Sequence, residues 1–246
     1  MKGLKTLSLS VVLTLLISAG SLYAGETKTS GYASVDVMSN YVWRGQKLSN
    51  SWVIQPSAGI TYNSFGTNIW ANYDSDRAEA TETDLTLNYS FSVNKFNFAA
   101  GYIYYALEGA DDTQEVYFSA NYDTFLKPAL TVYYDYDEGD GAFILASVCH
   151  SFGLSKDIAL NLGVSASYNI NNKVMGFDSE GYDFNNFYNG ELFSFLGIPL
   201  SKAITLTPKI AYSFPLSNDA KNAIKSISDD GDKDIFYGGI NMTLSF

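Results

Sequence analysis

Thr83-Asp84-Leu85-Thr86-Leu87-Asn88-Tyr89-Ser90-Phe91 decides the fold. Leu85, Leu87, Tyr89 and Phe91 alternate strictly with Asp84, Thr86, Asn88 and Ser90, so one face of an extended strand is apolar and the other polar. Working outward, the same two-residue period sets Leu160, Leu162, Val164, Ala166, Tyr168 and Ile170 against Asn161, Gly163, Ser165, Ser167 and Asn169. The chain ends on it, with Phe236, Gly238, Ile240, Met242, Leu244 and Phe246 on one face. Read throughout in this way, the sequence predicts strands near 32–43, 52–63, 67–73, 83–92, 95–106, 114–122, 129–136, 142–152, 158–170, 190–198, 204–214 and 234–246.

Most of these match the roughly 9 to 11 residues that a tilted strand needs to cross a bilayer, against roughly 5 to 6 in soluble sheets. Twelve is an even number, as a bacterial single-chain barrel with both termini on the periplasmic side requires. The expected fold is therefore an all-β, transmembrane, antiparallel up-and-down barrel of about 12 strands. A secreted soluble sandwich is the weaker alternative.

The connections provide a separate test. Odd ones (Arg44 to Ser51, Asp74 to Glu82, Leu107 to Thr113, Asp137 to Asp140, Asn171 to Asn189, Pro215 to Lys233) are longer than the even ones beside them, the fourth excepted. The even ones are Ser64 to Gly66, Ser92 to Asn94, Asp123 to Pro128, Gly153 to Asp157 and Pro199 to Ala203. Acids concentrate in the odd set, while Lys95, Lys127, Lys156 and Lys202 sit at the even turns. Tyr41, Trp43, Trp52, Tyr73, Tyr104 and Tyr212 near the odd loops, and Tyr62, Phe91, Phe96, Tyr122, Phe152 and Phe246 near the even turns, read as two interfacial aromatic girdles. They account for an aromatic content of 15% at a mean hydropathy of −0.04. Pro56 and Pro208 oppose the assignment unless bulges absorb them, because proline removes a ladder donor. The facing of the eighth and tenth strands stays open.

Lys2 and Lys5 precede the apolar run Leu7 to Ile17, and small residues lead to Ala24, so residues 1–24 read as a cleaved secretory signal and residues 25–246 as one barrel domain. Losing both lysines takes the 15 basic residues to 13 against 26 acids, a formal charge of −13. That balance excludes nucleic acid as a partner. One Cys and one His leave no disulfide framework, no metal site and no cofactor-binding pattern. Asp229-Asp230-Gly231-Asp232 lacks the spaced ligands and distal Glu of a calcium loop and reads as a solvated acidic loop.

Ser39-Asn40-Tyr41-Val42-Trp43-Arg44-Gly45-Gln46, at the end of the first strand, resembles the N-terminal signature of the TorF-type family of outer-membrane porins of Gram-negative bacteria. The resemblance implies a single-chain barrel over the whole mature region and a channel role, and it carries no catalytic residues. The alternating strand that closes on Phe246 also resembles the C-terminal signal by which outer-membrane barrels are recognised for assembly. Expected partners are outer-membrane lipid and lipopolysaccharide, the barrel-assembly machinery and small polar solutes.

Inward faces read as polar and small: Gln55, Ser57, Gly59 and Thr61, then Ser165 and Ser167, then Thr205, Thr207, Ala211 and Ser213. About eight strands can be filled by their own side chains and wider barrels leave space. Twelve should therefore enclose water. Pore-lining candidates are Asp36, Arg44, Asp84, Glu115, Asp135, Glu191 and Lys209, an acid excess that favours cations. Arg44 is expected opposite Asp36 or Asp84, or else in an internal charge network or against lipopolysaccharide. Trp70, Tyr117 and Tyr133 are bulky enough to narrow the lumen, and either of the two longest loops could fold into it. The expected function is passive diffusion of small polar solutes or ions with cation preference. A barrel enzyme acting on lipid or peptide and a closed structural or adhesive barrel are the alternatives. Against an enzyme stands the position of His150, toward the end opposite the long loops.

Overall fold

The computed structural model describes residues 29–155 and 157–246. The signal read at residues 1–24, and Lys156, lie outside the described residues. Twelve strands close an antiparallel barrel: β1 (Thr29–Met38), β4 (Val53–Tyr62), β5 (Phe65–Asp74), β6 (Glu79–Val93), β7 (Phe96–Leu107), β8 (Thr113–Tyr122), β9 (Ala129–Asp135), β10 (Gly141–Gly153), β11 (Ala159–Ile170), β12 (Asn185–Pro199), β13 (Ile204–Pro215) and β14 (Ile235–Ser245). Each pairs with its neighbour in sequence, and β14 returns to β1 through pairs such as Val35 with Met242 and Asp36 with Asn241. Closure leaves no free edge, so each strand has a partner on both sides with which to pair its backbone groups. Phe246 completes the seam by exchanging backbone hydrogen bonds of 2.7 and 2.9 Å with Gly31.

The alternation resolves into two faces. Ile60, Ile69, Leu87, Val116, Leu130, Val164, Leu192, Ile210 and Met242 point outward and are exposed around the whole circumference. An apolar belt of that extent suits a hydrocarbon surrounding and not water. Rings gather at the end with short turns, where Phe65, Tyr89, Phe91, Phe98, Phe96 and Tyr122 form a chain of contacts with centroids 4.5–6.2 Å apart. On β10, Phe143, Leu145 and Ser147 face inward while Ile144, Ala146 and Val148 face out. On β12, Phe193 and Phe195 face the lumen and Leu192 faces out.

Proline is accommodated without the bulges expected for it. Ile54–Tyr73 and Ser57–Trp70 keep one register across Pro56, as Phe195–Lys209 and Ile198–Leu206 do across Pro208. Pairing lapses for two residues on the side where the N–H is missing, and the other neighbour holds the strand through Val35–Pro56 or Pro208–Ile240. Register shifts fall elsewhere, at Asn72/Tyr73 and at Ala166/Tyr168.

The end with long loops is filled. Two clusters of buried side chains occupy the lumen there, one of Met38, Tyr41, Val53 and Trp70, the other including Ile103, Tyr105, Tyr133, Phe143, Met175, Tyr188 and Ile224. The second is covered by a 3-10 turn (Lys173–Met175) and by a helix, α1 (Asn218–Ile227), which places Ala220, Ala223 and Ile224 inward. Ser217 caps α1 by accepting a hydrogen bond from the Ala220 amide at 3.2 Å. Gly176, at φ 81°, closes the 3-10 turn where a Cβ would lie 2.8 Å from Ile227.

Candidate functional site

The first connection, expected as a loop beginning at Arg44, instead leaves the barrel wall at Ser39. The Ser39 amide donates to the Gly238 carbonyl at 2.8 Å, and the chain then turns into the lumen as a small hairpin, β2 (Val42–Trp43) and β3 (Gln46–Lys47). Ser49 stitches its base, its Oγ accepting from the Tyr41 amide at 2.7 Å. Trp43 pairs with Gln46 across a two-residue turn, and both turn residues have positive φ, 49° at Arg44 and 86° at Gly45. Such turns match the right-handed twist of a hairpin, and Gly adopts the second position without strain. A Cβ on Gly45 would stand 2.9 Å from the Asn189 Cβ, so the tip lies directly on β12. Tyr41 and Trp43 are therefore lumen residues and not part of an outer girdle, because the wall ends before them.

Arg44 sits at the tip. Its Nη1 and Nη2 donate to the two carboxylate oxygens of Glu115, each at 2.7 Å. Its Cζ lies 4.5 Å from the ring of Trp43, 4.3 Å from Tyr133 and 4.7 Å from Phe143. Burial disfavours the guanidinium charge, and the Glu115 carboxylate outweighs that, holding Arg44 above its ordinary range. Glu115 is fully buried and also accepts from Tyr105 Oη at 2.7 Å. The partner of Arg44 is thus Glu115 and not Asp36 or Asp84.

Further contacts fix the hairpin to the loops above. Gln46 Nε2 donates to Tyr188 Oη at 3.0 Å and to the Val174 carbonyl at 3.1 Å, and Tyr188 Oη donates to the Met175 carbonyl at 2.8 Å. The Lys47 amide donates to Ser228 Oγ at 3.1 Å, the Asp229 amide to the Lys47 carbonyl at 3.0 Å, and Lys47 Nζ pairs with Asp230. Burial pushes the Asp229 carboxyl up, whereas Lys47 outweighs burial at Asp230 and holds it below the usual carboxylate range.

Beneath Arg44 lies a cavity of about 280 Å³. Arg44, Glu191 and Lys209 are in its wall, with Trp43, Phe193 and Tyr237. Lys209 pairs with Asp36, whose other oxygen accepts from Asn241 Nδ2 at 2.8 Å. Tyr237 Oη donates to Glu191 Oε2 at 2.8 Å. The remaining three of the seven ionisable residues read from the sequence are buried in the filled end, outside the cavity wall. Of these, Glu115 holds Arg44, Asp135 accepts from Thr113 Oγ1 at 2.8 Å, and Asp84 lies beside Trp70 across the β5–β6 ladder. Trp70 packs against Tyr41 and Tyr133 against the Arg44 guanidinium, and Tyr117 packs against Tyr133. The two longest loops cover this end, but the segment that reaches the cavity is the first connection.

His150 lies on the outer face near the turn end, its ring 3.8 Å from Phe125 and 4.4 Å from Phe152, with Nδ1 2.7 Å from the Phe125 carbonyl. No Ser or Asp side chain is among those contacts.

No protein-family profile matches the chain, and no curated protein sequence does. Solved structures do. The NanC porin superposes with a TM-score of 0.57 over 86% of this chain and 98% of its own, at 9% identity. The likeness is one of fold. The KdgM porin, solved in complex with disordered oligogalacturonate, gives 0.53 over 88% and 99% at 11% identity. The COG4313 outer-membrane channel from Pseudomonas putida F1 gives 0.52 over 92% and 97%, also at 11% identity. This chain thus has the barrel fold of outer-membrane porins, over nearly their full length.

Side chains the sequence reading missed do much of the work here. Gln46 and Tyr188 join the hairpin to the cap, and Tyr237 holds Glu191. Only α1 left a local signal, the cap residue Ser217 followed by small or apolar residues at Ala220, Ala223 and Ile224.

Proposed function

We propose that this protein is an outer-membrane channel of a Gram-negative bacterium, exported with a signal that is cleaved after Ala24, through which small polar solutes or ions diffuse passively. One observation carries the reading: a closed 12-strand barrel with an apolar exterior encloses a cavity whose wall holds Arg44, Glu191 and Lys209. A barrel built only as a scaffold has no need of ionisable residues around an internal space. The Ser39 to Gln46 resemblance to TorF-type porins and the likeness to porin structures support the same reading. The surroundings of His150 speak against a Ser-His enzyme.

In this reading the hairpin is a constriction, and the acids concentrated in the long loops at the mouth give a preference for cations. Lipid and lipopolysaccharide surround the apolar belt, and the strand closing on Phe246 is the segment offered to the assembly machinery. The test is conductance of the refolded protein in a planar bilayer, with reversal potential under a salt gradient. Stepwise conductance with a potential favouring cations is expected. Silence from protein whose heat-modifiable gel mobility shows it folded would refute the channel.

A further inference from the structure

We propose that the cavity beneath Arg44 is a binding site for a small organic cation, an ammonium group with short carbon substituents, held by the Glu191 carboxylate and the aromatic rings of the wall. The proposal rests on the channel reading for access to the cavity and adds a ligand class to it.

Charge bookkeeping in the wall leaves one group over. Arg44 is neutralised by Glu115 and Lys209 by Asp36. Glu191 receives only the phenol of Tyr237, on Oε2, and among the described residues no lysine, arginine or histidine pairs with it. Lys127 also borders the cavity, but it is exposed at a turn, its Nζ 3.4 Å from Ser151 Oγ, where water and salt screen it. Glu191 is half-buried in the cavity wall with no counter-charge on it, and a partly desolvated carboxylate in that position attracts a cation that enters the cavity.

The other lining residues decide what kind of cation. Trp43, Phe193, Phe195 and Tyr237 border the same space, and aromatic rings attract cations through their quadrupole, most strongly when the cation is desolvated. A weakly hydrated organic ammonium can shed its water there. A hard divalent ion needs six or more oxygens, and no group of three acidic, His or Cys side chains suited to a metal occurs among the described residues. A neutral sugar would leave Glu191 without a counter-charge, and an organic acid would meet it directly.

Choline and tetramethylammonium are the probes, titrated into the refolded full barrel in nonionic detergent by calorimetry, with glucose and acetate as controls. Both ammonium ions should bind and both controls should not. Glu191→Gln, which keeps an acceptor for Tyr237, should weaken choline by about tenfold or more. Phe193→Leu should weaken it severalfold with the carboxylate intact. Choline binding no tighter than glucose, or unchanged by Glu191→Gln in protein with wild-type heat-modifiable mobility, would overturn the site. Calorimetry does not require conduction, so binding in a silent barrel would refute only the channel, and conduction without choline binding would refute only the site.

Discussion

Arg44 and Glu115, 71 positions apart in sequence, meet inside the barrel in a two-pronged ion pair with both N···O distances at 2.7 Å. The pair ties an inserted hairpin to the opposite wall. Both side chains are nearly removed from solvent, 9% and 0% exposed, so removing one leaves a buried charge uncompensated. Such a loss costs about 3–5 kcal/mol, enough to release a hairpin of a few residues while leaving a closed barrel intact. Glu115→Gln and Arg44→Ala are therefore expected to raise single-channel conductance without altering heat-modifiable mobility. In a double-mutant cycle the pair should show strong coupling, the double variant conducting no more than either single one. The surface pair of Lys47 with Asp230 is a contrast: partly solvated, it contributes about 0–1 kcal/mol, and Asp230→Ala should leave conductance near wild type.

Gly45 gives a backbone test of the same hairpin. At φ 86° any L side chain is strained, by roughly 1–2 kcal/mol, and a Cβ there meets Asn189 at 2.9 Å. Gly45→Val should therefore lift the tip from β12 and produce frequent transitions between conductance levels, read directly in single-channel records. A quiet trace at the wild-type level would mean that the tip carries no part of the constriction.

The barrel was legible because it is written locally. Alternation along strands such as Thr83 to Phe91 reports which medium each face meets, and a two-residue period needs no knowledge of partners. All twelve strands follow from it. What it cannot report is the path of a chain that leaves the sheet: Tyr41 and Trp43 fall in phase with Val35 and Val37 of β1, with only Ser39-Asn40 between, yet the wall ends at Met38 and the aromatic residues turn into the lumen. The eighth and tenth strands were ambiguous for a related reason. Phe143, Phe193 and Phe195 are apolar on an inward face because they meet the hairpin or the cavity wall, so both faces read as apolar. Of the inward charges, Arg44 was visible as a candidate, but its partner Glu115 is set by three-dimensional register alone.

Cys149, the one cysteine in the chain, borders the cavity on β10 and provides a built-in reporter of access. With the hairpin in place, a charged methanethiosulfonate reagent should modify Cys149 faster from the turn end than from the loop end, lowering conductance as it reacts. In Glu115→Gln the two rates should converge. Equal rates in the wild type would show that the hairpin does not obstruct the loop end.

The cap above the hairpin should be separable from the barrel. Ala220, Ala223 and Ile224 of α1 are fully buried against Met175 and Tyr188, so Ile224→Ala removes about 2–5 kcal/mol of packing from an element held by one face only. The barrel ladder does not pass through α1, and the loss therefore falls on docking of the cap. Lys221 and Lys225 lie on the exposed side of the helix, where trypsin can cut once the helix undocks and unwinds. Brief digestion should leave wild-type protein intact and cleave Ile224→Ala within α1, the two fragments staying together as a folded barrel on an unheated gel and separating after boiling. Loss of heat-modifiable mobility in this variant before digestion would mean that the cap is needed for the barrel itself. Because the Lys47 amide and carbonyl are held by Ser228 and Asp229, just beyond the helix, undocking should also loosen the hairpin and raise conductance, though less than Glu115→Gln, which removes the buried charge pair at its tip.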